Sequence, residues 1–211
     1  MGSQSQLQSP PTKALSFLSV VVLLSLALVP AGTSAQQGAL VVQRNLAELV
    51  DDAGVIVVGT IISSRVQPHP EFKNIPTVLV AVQVEESLKG QAGGLYVYRQ
   101  AILDIREQYN TAGYKKGQPV LLLLASPSRY GLSSPMGLEL GRFRVVEGPQ
   151  GQKFAVNGLR NAGLFREMRT TLRQRGIDPN AAEDALVEEH ARGAVKLDDL
   201  KGLIRKLVER P

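Results

Sequence analysis

The chain has 211 residues, 24 basic and 19 acidic side chains, a net charge of +5 and no cysteine. Without a thiol it has no disulfide, thiolate nucleophile, zinc–thiolate site or iron–sulfur site. A charge this mild is not the basic footprint that nucleic-acid binding requires.

Residues 1–35 read as a cleavable export signal. Lys13 supplies the positive n-region, and residues 14–29 form an apolar run around Val20-Val21-Val22-Leu23-Leu24. Pro30 and Gly32 break the run, and Thr33-Ser34-Ala35 offers small residues to a signal peptidase. The run falls short of the roughly 20 residues needed to span a bilayer. Cleavage is expected after Ala35, and the mature chain is expected in a periplasm or outside the cell.

Residues 36–158 are expected to form one domain. The spacing of Leu46, Leu49 and Val50 predicts a helix over 39–53, ended by Gly54. Val55–Ile62 (VIVVGTII) reads as a buried strand with Gly59 at a bulge or close approach. A proline-bearing loop over 63–76 follows. Thr77–Leu88 alternates, with Val78, Val80, Val82 and Val84 on one face. Leu95–Gln100 is a short strand, and 101–117 is less regular, with Ile102, Leu103 and Ile105 available to pack against a sheet. Pro119–Ala125 (PVLLLLA) is a second buried strand. Leu138–Glu147 and Gln152–Asn157 form a hairpin around Gly148–Gly151.

Residues 159–211 change to a helical period. Leu164, Phe165, Met168 and Leu172 share the apolar face of a helix over 159–175, with Arg166, Arg169 and Arg173 on the other face and Gly176 as its cap. Two further helices are expected. One covers 179–191 behind an Asp178 cap; the other covers 197–208, with Leu197, Leu200, Ile204 and Leu207 on one face. The basic stretch precedes an acidic one over 177–192, and such neighbours are expected to pair. Docking of the apolar face is favoured over peripheral membrane contact.

Strands segregated from helices give an α+β fold. The expected architecture is a small OB-like antiparallel β-barrel of five to six strands, with a leading helix and a C-terminal helical segment packed on it.

Three segments support that architecture through a resemblance. Asp52–Ile61 (DAGVIVVGTI) resembles the first strand of netrin-like domains, an "A-D" lead, an apolar run and then "G-x-V". Val80–Gly90 (VAVQVEESLKG) resembles the second strand, which commonly ends in "V-L-K-G". Tyr114–Leu123 (YKKGQPVLLL) resembles a later "F-x-x-G-x-x-Y-L-V-F" strand. The same elements recur in exported bacterial proteins of uncharacterised function. The resemblance spans about 52–125 and implies an OB-type five-stranded barrel, without a function. Tissue inhibitors of metalloproteinases share that barrel and chelate zinc through an N-terminal cysteine, which this chain lacks.

The chemistry within the sequence is sparse. His69 and His190 stand alone, without the spaced partners of a metal site, so neither metal nor cofactor is expected. No G-x-S-x-G or phosphate-binding loop occurs. Asp104 with Glu107, or Glu139 with Glu147, are the candidate carboxylate pairs. Tyr96, Tyr98 and Arg99 share a strand and form a candidate ligand-binding face, flanked by Tyr109, Tyr114, Lys115 and Lys116. Arg166, Arg169 and Arg173 form a candidate partner-facing basic face. The expected function is a non-enzymatic binding module that contacts another exported or envelope protein. The alternatives are an extracytoplasmic hydrolase with a carboxylate site, and a glycan- or peptide-binding barrel using the tyrosine face.

Overall fold

The computed structural model describes residues 44–211. The export signal expected over 1–35, and the first residues of the helix expected from 39, lie outside them. The described chain begins at helix α1 (Leu46–Asp52). Asn45 caps it by accepting from Glu48 N at 3.0 Å, while Glu48 accepts from Asn45 N at 2.8 Å. At the other end Lys89 Nζ donates to the carbonyls of Val50 and Asp51, at 2.7 and 2.9 Å.

Three strands follow as a meander: β1 (Ala53–Pro68), β2 (Pro76–Lys89) and β3 (Leu95–Ala101). β1 and β2 are longer than the sequence suggests, because a long hairpin absorbs half of the predicted 63–76 loop. Three register shifts in the β1–β2 ladder bend it, at Ile56/Val57, Val58/Gly59 and Ile61/Ser63. Gly59 sits at one of these shifts, and a Cβ there would lie 2.2 Å from Gln83 O. That close approach is why the strand carries a glycine.

A 3-10 helix (Ile105–Gly113) leads to β4 (Pro119–Ala125), which pairs with β1. The hairpin of β5 (Arg142–Glu147) and β6 (Lys153–Asn157) adds to β4. Helices α2 (Met168–Gln174) and α3 (Ala181–Glu189), strand β7 (Val195–Lys196) and helix α4 (Leu197–Glu209) complete the described chain.

The fold is α+β. All strand pairings are antiparallel, and the sheet order is β3-β2-β1-β4-β5-β6-β7. Seven strands replace the five to six expected, because β7 is two residues long and too short for any periodicity to reveal. The ladder does not close on itself; β3 and β7 are its ends. Two isolated bridges, Arg99 with Leu132 and Leu124 with Pro135, tie the loop after β4 to both β3 and β4.

Each face of the sheet carries a core. Leu121, Leu123, Ile56 and Phe143 pack under α1, α2 and α4 with Leu46, Leu49, Met168, Leu203 and Ile204. Leu122, Leu124, Val57, Val80 and Val82 fill the other side with Tyr98, Ile102 and Tyr114. A strand buried on both faces needs a continuous apolar run, which accounts for PVLLLLA. Each such leucine contributes about 2 kcal/mol through burial.

Two predicted elements are shorter than expected. Residues 136–141 form tight turns rather than the start of β5: Leu138 has φ +54°, and Gly141 N donates to Met136 O at 2.7 Å. Residues 158–167 likewise form successive turns, with Arg160, Asn161 and Glu167 left-handed, so α2 begins at Met168. Asn157 and Asn161 bond to backbone in place of helix formation. Leu164, Phe165, Met168 and Leu172 are nonetheless buried against the sheet. α3 is capped by Asn180 rather than Asp178, because Asn180 Oδ1 reaches the amides of both Ala182 and Glu183 at 3.0 Å.

Candidate functional site

The β3 residues divide by the alternation of the strand. Tyr96, Tyr98 and Gln100 face the inner core; Leu95, Val97 and Arg99 face outward. Tyr98 is 4% exposed and packs edge-on to Tyr114 at 6.1 Å, with Tyr96 at 6.4 Å. It is a core residue, so the two tyrosines do not form an exposed pair. Tyr96 is half-buried beside it. Arg99 points to the opposite side, where Nη1 donates to Thr77 Oγ1 at 2.9 Å. The three candidate binding residues are therefore not brought together on one surface.

The Tyr98 hydroxyl is buried without a hydrogen-bond partner among the described residues. Burial, then the neighbouring Tyr114 hydroxyl, push its pKa well above the usual 10. Removing an unpartnered buried hydroxyl relieves its desolvation. Tyr98→Phe is therefore expected to leave stability unchanged or raise it by about 1 kcal/mol, read from the urea midpoint. A loss above about 1 kcal/mol would mean that the hydroxyl is bonded.

The basic face is largely engaged within the chain. Arg169 pairs with Asp184 at 2.9 Å and with Glu188, so the basic and acidic stretches meet as expected. Arg175 forks onto both oxygens of Asp51, at 2.9 and 2.6 Å. Arg166 and Arg173 are exposed. The Arg166 carbonyl accepts from Asn45 Nδ2 at 3.2 Å.

The histidines have structural surroundings. His69 is buried, with Nε2 against Tyr130 O at 2.9 Å and Nδ1 accepting from Glu71 N and Phe72 N. That pattern pins the β1–β2 turn to the loop after β4. His190 lies edge-on to Phe165 at 5.5 Å, and burial lowers its pKa below the usual 6.5. No group of three His, Asp or Glu side chains among the described residues could hold a metal ion.

The carboxylates fall out differently from their sequence pairings. Asp104 is ion-paired to Arg106, whose side-chain and backbone hydrogen bonds bring its pKa down to about 2. That direction is opposite to the one a proton donor needs. Glu147 is exposed at the turn end of β5. Glu107 and Glu139, in contrast, line the same cavity.

That cavity, about 70 Å³, lies beneath the 3-10 helix. Gln100, Tyr114, Glu107, Glu139, Arg142 and Leu103 line it. Its floor is a bonded network. Tyr114 Oη donates to Gln100 Oε1 at 2.7 Å, and the Arg142 guanidinium lies 4.7 Å over the Tyr114 ring. Arg142 Nη1 donates to Ala112 O at 2.5 Å, and Nη2 pairs with Glu139. Glu107 has no ion pair among the described residues.

The segment above the cavity is held in a fixed shape. Asp104 caps it by accepting from Arg106 N at 2.9 Å. Thr111 and Ala112 are left-handed, with φ of 53° and 51°. A left-handed conformation at non-glycine residues persists only where the surroundings enforce it. Here Ser64 Oγ donates to Tyr114 O at 3.0 Å, and Arg142 holds Ala112 O.

This fixed segment presents apolar side chains to solvent. Tyr109 is 89% exposed, Leu103 75% and Ile105 70%, more than any other large apolar residue in the described chain. The sequence suggests that Ile102, Leu103 and Ile105 pack down together. Ile102 does; the other two point away because Asp104 starts a new turn. The spacing 103, 105, 109 fits neither a strand nor a helix face, and that mismatch is the signal available in the sequence.

A larger groove, about 490 Å³, separates β2 from the β5–β6 turn and the start of α4. Its charges are only partly paired: Lys201 lies 3.0 Å from Glu86 and 3.1 Å from Asp198, and Arg205 also holds Glu86, whereas Glu85, Lys153, Lys196 and Asp199 have no ion pair among the described residues. Comparison with protein-family models finds no match, and no curated protein or solved structure matches the chain either.

Proposed function

We propose that the chain is an exported interaction module that binds another exported or envelope protein through its 102–113 segment. The observation that carries this reading is the exposure of Leu103, Ile105 and Tyr109 on a backbone held rigid by Ser64, Arg142 and the Asp104 cap. Three large apolar side chains exposed within residues 103–109 go beyond the singly scattered surface hydrophobes that need no explanation. Preorganisation matters as well, because a fixed segment loses little entropy on binding.

The bends in β1 and β2, and the bridges from Leu132–Pro135 to β3 and β4, support an OB-type barrel around the Tyr98–Tyr114 interior. The export signal over 1–35 supports an extracytoplasmic site of action.

Affinity purification of the tagged full chain from its host tests the reading. The wild type is compared with a Leu103→Ser/Tyr109→Ser variant. Both positions are exposed, so the variant is expected to unfold at the same urea concentration as the wild type. The expected result is a protein recovered with the wild type and lost with the variant. Recovery of the same proteins by both would overturn the proposal.

A further inference from the structure

The cavity under the 102–113 segment adds a chemical preference to the binding surface proposed above, and the inference rests on that reading. We infer that the partner inserts a lysine or arginine side chain into this cavity while its apolar neighbours cover Leu103 and Tyr109.

Size comes first. A volume of about 70 Å³ exceeds the ~10–15 Å³ that one water requires, so the cavity accepts the end of a side chain but not a drug-sized ligand. Charge comes second. The charged residues of its wall are two carboxylates, Glu107 and Glu139, and one guanidinium, Arg142. Arg142 is committed to Glu139 and Ala112 O. Glu107 forms no ion pair among the described residues, which leaves the wall with one negative charge in excess on a chain whose net charge is positive. Polarity comes third. The Tyr114 ring on the floor is 2% exposed and already carries Arg142 at 4.7 Å, so the Glu107 carboxylate rather than the ring sets the preference. An anionic or purely apolar side chain gains nothing from the Glu107 carboxylate.

A small charged pocket beside exposed aromatic and aliphatic residues matches the anatomy of a binding hot spot: one anchoring side chain in a pocket, surrounded by contacts that exclude water. Lys115 and Lys116 follow Tyr114 but do not line the cavity.

The test uses a random-peptide display library selected on the full chain and counter-selected on the Leu103→Ser/Tyr109→Ser variant. The expected result is enriched peptides with lysine or arginine at a fixed position beside apolar residues. Their affinity is expected to fall at least tenfold on Glu107→Gln, an exchange at a partly exposed position that keeps shape and removes charge. Enriched peptides without a basic residue, or with unchanged affinity for Glu107→Gln, would overturn the inference and leave the binding surface standing. Failure to enrich any peptide that distinguishes wild type from the variant would overturn both.

Discussion

Asn161→Ala is expected to lower the unfolding free energy by about 3–5 kcal/mol, a loss as large as that from truncating a buried core leucine. Asn161 is fully buried, and its amide group is fully used. Nδ2 donates to Ala155 O at 3.0 Å and to Gly193 O at 2.8 Å, while Oδ1 accepts from Asn157 N at 2.9 Å. The side chain thereby joins β6 to the turn after it and to the loop before β7. Alanine leaves three backbone groups short of a partner, each costing about 1 kcal/mol, the low end for a buried group that small backbone shifts partly re-satisfy. It also places a Cβ-bearing residue without a polar side chain at φ +57°, a conformation that costs about 1–2 kcal/mol outside glycine and asparagine. Asn161→Gly separates the two contributions. It keeps the hydrogen-bond loss but removes the backbone strain, so it is expected to be about 1 kcal/mol less damaging than alanine. Equilibrium urea unfolding reads both. A loss below about 1.5 kcal/mol for alanine would mean that water replaces the amide group.

Lys206→Met is expected to cost about 2–3 kcal/mol through a different cause, less than a fully buried pair because the Lys206 side chain is one-third exposed. Glu183 is 1% exposed, and its carboxylate is paired with Lys206. The carboxylate also accepts from Asn180 N at 2.8 Å, closing the cap of α3. α4 admits it because residue 202 is glycine: a Cβ there would lie 2.4 Å from Glu183 Oε1. Removing the ammonium group leaves a carboxylate buried without its counter-charge, the expensive case for an ion pair. The compensating change is Glu183→Gln, which keeps the shape and a cap acceptor but carries no charge. In a double-mutant cycle, Glu183→Gln added to Lys206→Met is expected to recover most of the loss. Additive losses would show that the pair is screened by solvent and that the lysine acts only through its bond to Asp178 O.

Both positions illustrate what the sequence reveals of this fold. β4 is legible to the residue, because only a strand buried on both faces runs PVLLLLA. α4 is nearly so, because its leucines repeat at helical spacing. The 158–167 turns are not legible. Leu164, Phe165, Met168 and Leu172 fit a helical period, yet the first two reach the core from turns that the Asn157–Asn161 pair imposes. That exchange joins two side chains to two backbone amides, and a hydrophobic pattern carries no trace of it. The candidate site was legible only in part. The 101–117 stretch reads as irregular, but the pairing of Glu107 with Glu139 depends on the turn at 136–141, which brings a residue from beyond β4 under the 3-10 helix. Tyr98 is the converse case: strand alternation puts it on a face with Tyr96, but not whether that face is inside or outside.

Site-specific photo-crosslinking in the host tests the central claim most directly. A photoreactive phenylalanine analogue replaces Tyr109 in the full chain, with Val146, exposed on β5, as the control position. A discrete protein adduct is expected from position 109 and none from 146. No adduct at 109, or the same adducts from both positions, would contradict it.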